Sequence, residues 1–342
     1  MRITVAGAGA MGCRFGAALF EAGHHVTLLD GWREHVTAIN EAGLRVTDAT
    51  GTRTLAVPAV FFCPPAQPCP EPVSPSPQPA ADLVIVFAKA TATAAVAAAA
   101  TATGAIGPST LVLTLQNGLG NIEALLAHVP ASRLLAGTTT LGTELLGPGH
   151  IRALGSGETV LGPLPGAVGG VGTEPAERIA LALYGAGISV RTSPSALEVI
   201  WAKVAFNCVM NSLCSIGSIP VSALARYGGF DQLAASVLDE VAAVARAEGV
   251  TVDTAAALRL MHAQFDPSAS GDHLASMLQD LMNGRPTEIA HLNGAIAARA
   301  AARGIDAPVN AAITRLVGLL EATWTGRVNR LHPDPPLTPE RP

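Results

Sequence analysis

Within the first 30 residues a short apolar strand, Ile3-Thr4-Val5-Ala6, runs into Gly7-Ala8-Gly9-Ala10-Met11-Gly12. An apolar helix follows to about Ala22, Gly23 caps it, and a second strand, His25-Val26-Thr27-Leu28-Leu29-Asp30, closes the unit. This order of strand, glycine turn, helix and strand constrains the chain more than any other stretch. Gly7 permits the tight turn, Gly9 lets backbone amides come close to a pyrophosphate, and Gly12 lets helix and strand pack closely. The helix N-terminus then faces negative charge. The pattern predicts a βαβ unit whose residues Gly7, Ala8, Gly9, Ala10, Met11 and Gly12 cradle a dinucleotide. The plainer alternative is a tight turn with no ligand. Asp30 ends the second strand, where a carboxylate can accept hydrogen bonds from ribose hydroxyls and repels a 2′-phosphate. It favours NAD over NADP, although a strand-end cap would use the same residue. Arg33, three residues on, could reach a phosphate.

The remaining sequence extends this unit. A helix is expected from Arg33 to Glu41, ended by Gly43, then short strands near Leu44–Thr47 and Thr54–Val57. Leu83–Phe87 and Thr110–Leu115 are continuous apolar strands separated by an Ala-rich helix. Strands apolar on both faces and alternating with helices predict a parallel sheet covered by helices. Residues 61–80 contain eight prolines, which excludes a helix or a central strand and predicts an exposed loop or insert. Gly137–Gly162 reads as further strands, Thr173–Tyr184 as a helix and Ile188–Arg191 as a last strand. From Ser195 to about Thr325 the pattern is helical. The expected fold class is therefore an α/β N-terminal Rossmann-like dinucleotide-binding domain plus an all-α C-terminal domain. The expected boundaries are 1–193 for the first domain, with its insert at 61–80, and 194–330 for the helical substrate and catalytic domain. A loose, proline-rich tail is expected at 331–342.

Composition narrows the function classes. The chain has 342 residues, 49% apolar and 14% charged, with a net charge of −5. That is apolar enough to fill two cores, and it implies neither nucleic acid nor an anionic membrane as a partner. Met1-Arg2 leads at once into a strand, so no secretory signal is expected and the chain reads as cytoplasmic. The five cysteines form no CxxC pair. Cys63 and Cys69 are near enough for a local bridge, but reduced thiols fit the reading better. The histidines form no zinc-protease pattern, so no metal site is expected, and no GxSxG elbow supports Ser/His/Asp hydrolysis.

The run Trp201 to Asn211 carries the most chemistry. Lys203, Asn207 and Asn211 recur at i, i+4 and i+8 and share one stripe of a helix. Their neighbours Val204, Phe206 and Val209 are apolar, so the helix is expected to be buried. Polar groups on a buried helix need partners or face a cleft. A lysine with a lowered pKa could protonate a developing alkoxide, and the amides could hold a hydroxyl or carboxylate. Spacing alone allows a solvated polar stripe equally well. Glu288 is expected to begin an apolar helix, where it is either a functional acid or a simple N-terminal helix charge.

Taken together, these pieces resemble the ketopantoate reductase family over nearly the whole chain apart from the insert and the tail. They come in the family's order: the glycine turn, Lys89-Ala90, Gln116-Asn117-Gly118, Trp201 to Asn211, Ser276-Met277-Leu278-Gln279-Asp280, and Thr287-Glu288-Ile289 leading into Leu292-Asn293-Gly294. The resemblance implies Lys203 as the general acid and Glu288 as the acid that binds the substrate hydroxyl and supports catalysis. It implies substrate contacts at Asn207, Asn211 and Ser276. It places Lys89 and Asn117 at the nicotinamide end of the site, though each could be a plain loop residue. The implied reaction is NAD(P)H-dependent reduction of a branched 2-oxo acid, ketopantoate to pantoate by default, in pantothenate biosynthesis.

Three positions depart from the family's pattern. Asp30-Gly31 stands where the family commonly carries an Arg for the 2′-phosphate, so NADPH dependence is open. Val221 replaces an Asn that contacts substrate in some members. Ala290-His291 follows Ile289 where Asp-Tyr is common, with an effect on packing or polarity that the sequence leaves undecided. Asp30 and Val221 favour an alternative, an NAD-dependent D-2-hydroxyacid dehydrogenase of the same superfamily. A non-catalytic dinucleotide sensor is a third reading, disfavoured by the presence of both Lys203 and Glu288. Apolar faces near Leu233–Val244 and Ile289–Ala300 could support a homodimer, although packing between the domain's own helices explains the same residues.

Overall fold

The structure, a computed structural model, describes residues 1–63, 78–164, 173–266 and 274–326. The body of the expected proline-rich insert and the expected tail lie outside the described residues. The sheet-bearing half contains β1 (Arg2–Ala6), α1 (Ala10–Glu21), β2 (His25–Asp30), α2 (Arg33–Ala42), β3 (Leu44–Asp48), β4 (Gly51–Leu55) and β5 (Ala59–Phe61). It continues with β6 (Leu83–Val86), α3 (Thr93–Ala102), β7 (Leu111–Thr114), α4 (Asn121–Leu126), β8 (Leu134–Thr139), β9 (Gly142–Gly147), β10 (His150–Leu154), β11 (Thr159–Pro163), α5 (Thr173–Gly185) and β12 (Val190–Thr192).

Eight strands form one sheet in the order β12-β11-β8-β7-β6-β1-β2-β5. All neighbours are parallel except β8 and β11, so the expected parallel sheet is mixed at one side. The central strands β6 and β7 are buried at every residue, because helices cover both faces. Their apolar runs reflect this. Register pairs Ala6 with Leu29 and with Val86, and Val86 with Thr114. The C-terminal ends of β1, β2, β6 and β7 therefore lie along one edge, which is where open α/β sheets bind ligands. The glycine turn, Asp30, Lys89 and Asn117 all sit on that edge.

A second sheet, β4-β3-β10-β9, was not expected. It forms because β10 pairs in parallel with β3 from about a hundred residues away, a pairing that local pattern does not encode. The strand expected at Thr54–Val57 lies instead at Gly51–Leu55, closing a tight hairpin with β3. Cys63 is disulfide-bonded, against the expectation of reduced thiols there, whereas Cys13, Cys208 and Cys214 are free and buried.

The helical half contains α6 (Ala196–Gly217), α7 (Phe230–Ala247), α8 (Thr254–Ala263), α9 (Ser276–Met282), α10 (Asn293–Ala301) and α11 (Pro308–Thr323). Ser195 caps α6 by accepting from the Glu198 amide, as its S-x-x-E sequence favours. Among the described residues α6 alone is long and apolar enough to cross a membrane. Here it is the core helix, packed against α7, α8, α9 and α11 and against β8. Ala234, Val237, Leu238, Val241, Ile289, Leu292 and Ile296 are buried in the same core. The apolar faces expected to be spare for a dimer are thus consumed within the chain. A buried chain of amides then locks the helices. Asn293 Nδ2 donates to the Cys208 carbonyl at 3.0 Å and to Asn310 Oδ1 at 2.9 Å, and Asn310 Nδ2 donates to Glu240 at 2.7 Å.

Candidate active site

The glycine turn is fixed from several sides. Gly7 adopts φ +96°, and a Cβ there would lie 2.4 Å from the Ala88 nitrogen. A Cβ on Gly12 would lie 1.9 Å from the Gly7 oxygen. At Gly9 a Cβ would meet nothing within 4 Å, so space lies open there. No side chain caps α1, and its first backbone bond runs from the Cys13 amide to the Gly9 carbonyl at 2.9 Å. The amides of Ala10, Met11 and Gly12 therefore point off the helix end, as an anion site requires. The Ala8 amide is differently placed, since it donates to Asp30 Oδ2 at 2.6 Å. The Trp32 amide donates to Asp30 Oδ1 at 2.8 Å. Asp30 is thus a cap that ties the end of β2 to the turn. Each carboxylate oxygen accepts more than one hydrogen bond, so lone pairs remain for a ribose. Arg33 stacks its guanidinium over Phe61, 4.2 Å from the ring centre, beside Asp30.

On α6, Lys203, Asn207 and Asn211 fall on one stripe, and both asparagines are buried. Lys203 is half-buried and its Nζ donates to the carbonyl of Thr139 at the end of β8. Burial pushes the lysine down to about 8, against the opposing pull of the Glu288 carboxylate. Lys203 and Glu288, far apart in sequence, are therefore within electrostatic reach of each other. Asn211 Nδ2 lies 3.4 Å from Ser276 Oγ at the start of α9, which brings a fourth predicted residue to the same stripe.

Glu288 does not begin a helix as expected. Ile289–His291 forms a single 3-10 turn and α10 starts only at Asn293. The turn aims Glu288 back at the sheet, where Asn117 Nδ2 donates to Glu288 Oε2 at 3.4 Å. Lys89 pairs with Asp280 at 2.5 Å, and Arg285 reaches the other oxygen of the same carboxylate at 3.2 Å. Asp280 is buried and is held between the two cations. From the sequence Asp280 had no assigned partner, and nothing there marked Arg285 or Thr139. Only Asp280 left a signal, as a carboxylate on the short helix Ser276–Met282.

The predicted residues thus form two groups on one seam. Gly7 to Gly12 and Asp30 lie at the sheet edge. Lys203, Asn207, Asn211, Ser276, Glu288, Asn117 and Lys89 lie where the helical half meets it. A cavity of about 190 Å³ lies behind the Gln116–Glu123 loop, against Leu197, Ile200 and Trp201. None of the predicted catalytic or substrate residues lines it. Arg299 at its wall is paired with Glu123 and Glu248.

The family model of ketopantoate reductase PanE/ApbA matches residues 3–166, and that of the ketopantoate reductase PanE/ApbA C-terminal region matches residues 195–321. The chain is 34% identical over 318 residues to the 2-dehydropantoate 2-reductase of Lactococcus lactis subsp. lactis (strain IL1403), covering 93% of this chain and 97% of that protein. It is 34% identical over 321 residues to the 2-dehydropantoate 2-reductase of Halobacterium salinarum, covering 94% and 99%. Among solved structures, D-mandelate dehydrogenase with NADH and anilino(oxo)acetate is similar with a TM-score of 0.85 and 31% identity, covering 95% of this chain and 100% of that one. A PanE/ApbA family ketopantoate reductase from Ralstonia eutropha JMP134 gives 0.78 and 34%, with 95% and 100% covered. With family matches across both halves and near-complete coverage of its relatives, this chain belongs to the ketopantoate reductase family of nicotinamide-dependent oxidoreductases acting on a CH–OH group.

Proposed function

We propose that the chain reduces a branched 2-oxo acid to the 2-hydroxy acid, ketopantoate to pantoate by default, as a step of pantothenate biosynthesis. The observation that carries this reading is the half-buried Lys203, lowered to about 8, on a stripe with two buried amides and facing Glu288. A lysine so placed is still protonated at neutral pH and gives up its proton readily. When bound, the nicotinamide supplies the hydride to the carbonyl carbon. Lys203 stabilises the charge that grows on the carbonyl oxygen and transfers its Nζ proton there. Glu288 holds the substrate hydroxyl, and Asn207, Asn211 and Ser276 hold the carboxylate. The free amides of Ala10, Met11 and Gly12 and the space over Gly9 fit a pyrophosphate. Lys89 and Asn117 flank the nicotinamide end.

NADH is the proposed cofactor, because Asp30 presents a carboxylate where a 2′-phosphate would need a cation. The same residue supports a second reading, an NAD-dependent D-2-hydroxyacid dehydrogenase. The likeness to a D-mandelate dehydrogenase solved with NADH favours it. So does Val221, an apolar residue buried in the helical core in place of a hydrogen-bonding side chain. The test is loss of reduced-nicotinamide absorbance with ketopantoate, using NADH and then NADPH. Turnover with NADH supports both the substrate and the cofactor. Preference for NADPH removes the ribose role from Asp30. No turnover of ketopantoate, with turnover of aromatic 2-oxo acids, establishes the second reading instead.

A further inference from the structure

His291 ends the single turn that follows Glu288, and it joins the helical half to the loop that carries Asn117. Its backbone carbonyl accepts from the Leu119 amide at 2.8 Å. Its ring Nδ1 lies 3.1 Å from the Leu119 carbonyl oxygen. A carbonyl only accepts, so Nδ1 carries the hydrogen. The neutral Nδ1–H ring and the imidazolium both donate in this way. Leu119 is therefore held by His291 through both of its backbone polar groups. The fit leaves no slack. Gly118 adopts φ +82°, and a Cβ there would lie 2.6 Å from the His291 oxygen. On the sheet side the loop is fixed by Asn121, whose Nδ2 donates to the Asn117 carbonyl at 2.9 Å and whose Oδ1 accepts from Thr93 at 2.8 Å.

Taking the site as read under Proposed function, we propose that His291 is a positioning residue that holds Asn117 against Glu288. The loop and the turn meet twice at Leu119 and once more at Asn117 to Glu288. That last contact is long, at 3.4 Å, so a small shift of the loop breaks it. No catalytic contact is assigned to His291 itself. It fixes the distance between the nicotinamide end, on the sheet edge, and the substrate acid, on the helical half. This gives His291 a definite task.

Two substitutions separate the role from general stability. His291→Phe keeps a ring and removes the donor, and His291→Asn restores a donor near the position of Nδ1. The expected result for His291→Phe is a kcat roughly tenfold to a hundredfold lower, as misplacement of reacting groups costs, with NADH affinity within about twofold. His291→Asn should recover kcat to within about threefold of the original, because its amide replaces the lost donor. Combining His291→Phe with Glu288→Gln should lower kcat no further than Glu288→Gln alone, since residues acting through one contact are not additive. If His291→Phe does not fold, as judged by thermal melting, His291→Ala carries the same expectations. Unchanged kcat in the donor-less variant, an Asn variant as poor as the Phe variant, or multiplicative losses in the double variant would each overturn the proposal. If Glu288→Gln and Lys203→Ala themselves leave kcat intact, the reading of the site fails, and that outcome is distinct from failure at His291 alone.

Discussion

The two ends of the seam are built in opposite ways. At the proposed dinucleotide end, Gly7 to Asp30 come from one continuous stretch, and apart from the Asp30 carboxylate what they offer is backbone: amides off the end of α1 and the space over Gly9. The Ala8 amide, tied to Asp30 at 2.6 Å, locks the turn from within the same unit. At the proposed substrate end, the groups come from α6, α9, the turn after Glu288 and two sheet-edge loops, and what they offer is side chains. Their positions depend on bonds that cross the seam: Lys203 to Thr139, Asn117 to Glu288, Lys89 to Asp280. The first end is preorganised by local sequence, whereas the second is preorganised only if the two halves dock correctly. Mutations should therefore separate the ends cleanly, with cofactor binding lost at one and turnover at the other.

The largest effect is expected at Lys203. Lys203→Ala should lower kcat by about 10²- to 10⁴-fold, the usual worth of a positioned general acid. NADH affinity, measured by fluorescence titration, should stay within about twofold, because the binding turn belongs to the other end. Loss of NADH binding in this variant would erase the distinction between the ends.

Next come the glycines, which sharpen the comparison within the dinucleotide end. Gly12→Ala places a Cβ 1.9 Å from the Gly7 oxygen, so the turn must move. It should destabilise the fold by about 1–3 kcal/mol, in the range of overpacked core sites, and weaken NADH binding with it. Gly9→Ala meets nothing within 4 Å and should leave stability within about 0.5 kcal/mol, as for a surface change. If a pyrophosphate occupies the space over Gly9, this variant still loses NADH affinity by tenfold or more, the effect of a methyl group placed where a close backbone approach is needed. Calorimetry on the two variants reads stability and affinity together. Unchanged NADH affinity in Gly9→Ala, with its stability intact, would mean that the turn is not the binding surface.

Asp30 should have a smaller effect that links cofactor choice to the same turn. Asp30→Ser removes the carboxylate, and NADH binding is expected to weaken about tenfold, the scale of a hydrogen bond to a charged group. NADPH binding should weaken less or improve, because the repulsion is gone. A parallel loss for both cofactors would show that Asp30 acts only as the cap on the Ala8 amide.

The contrast also explains what could be read in advance. The glycine turn, the central strands and the stripe on α6 follow from spacing, since each is a property of one continuous segment. The burial of Asn207 and Asn211 follows from the apolar neighbours of that stripe. The sheet formed by β3 and β10, the 3-10 turn at Ile289–His291 and the pairs Lys89–Asp280 and Leu119–His291 depend on segments about a hundred or more residues apart. No periodicity records such meetings. The apolar faces that suggested a second copy of the chain show the same gap. The sequence marked them as apolar and allowed either a second copy or packing among the helices themselves, and only tertiary packing, which buries them inside the helical half, decides between the two.

The smallest effect is expected with pH, and its sign tests the role of Lys203 most directly. Burial lowers the lysine from its usual 10.5 to about 8. Reduction needs the protonated amine, so kcat/KM for the 2-oxo acid should be level at neutral pH, fall to about half at pH near 8, and decline further above it. Oxidation of the 2-hydroxy acid needs the free amine, so its kcat/KM should rise through the same range. Stability responds in the other direction from reduction. Between about 8 and the usual lysine value the unfolded chain holds the proton and the folded chain does not, so the contribution of Lys203 to stability rises with pH. Loss of reduction above pH 8 should therefore be reversible and occur without melting. Forward and reverse rates that fall together in that range, or a fall that tracks unfolding, would assign the titration to a group other than Lys203.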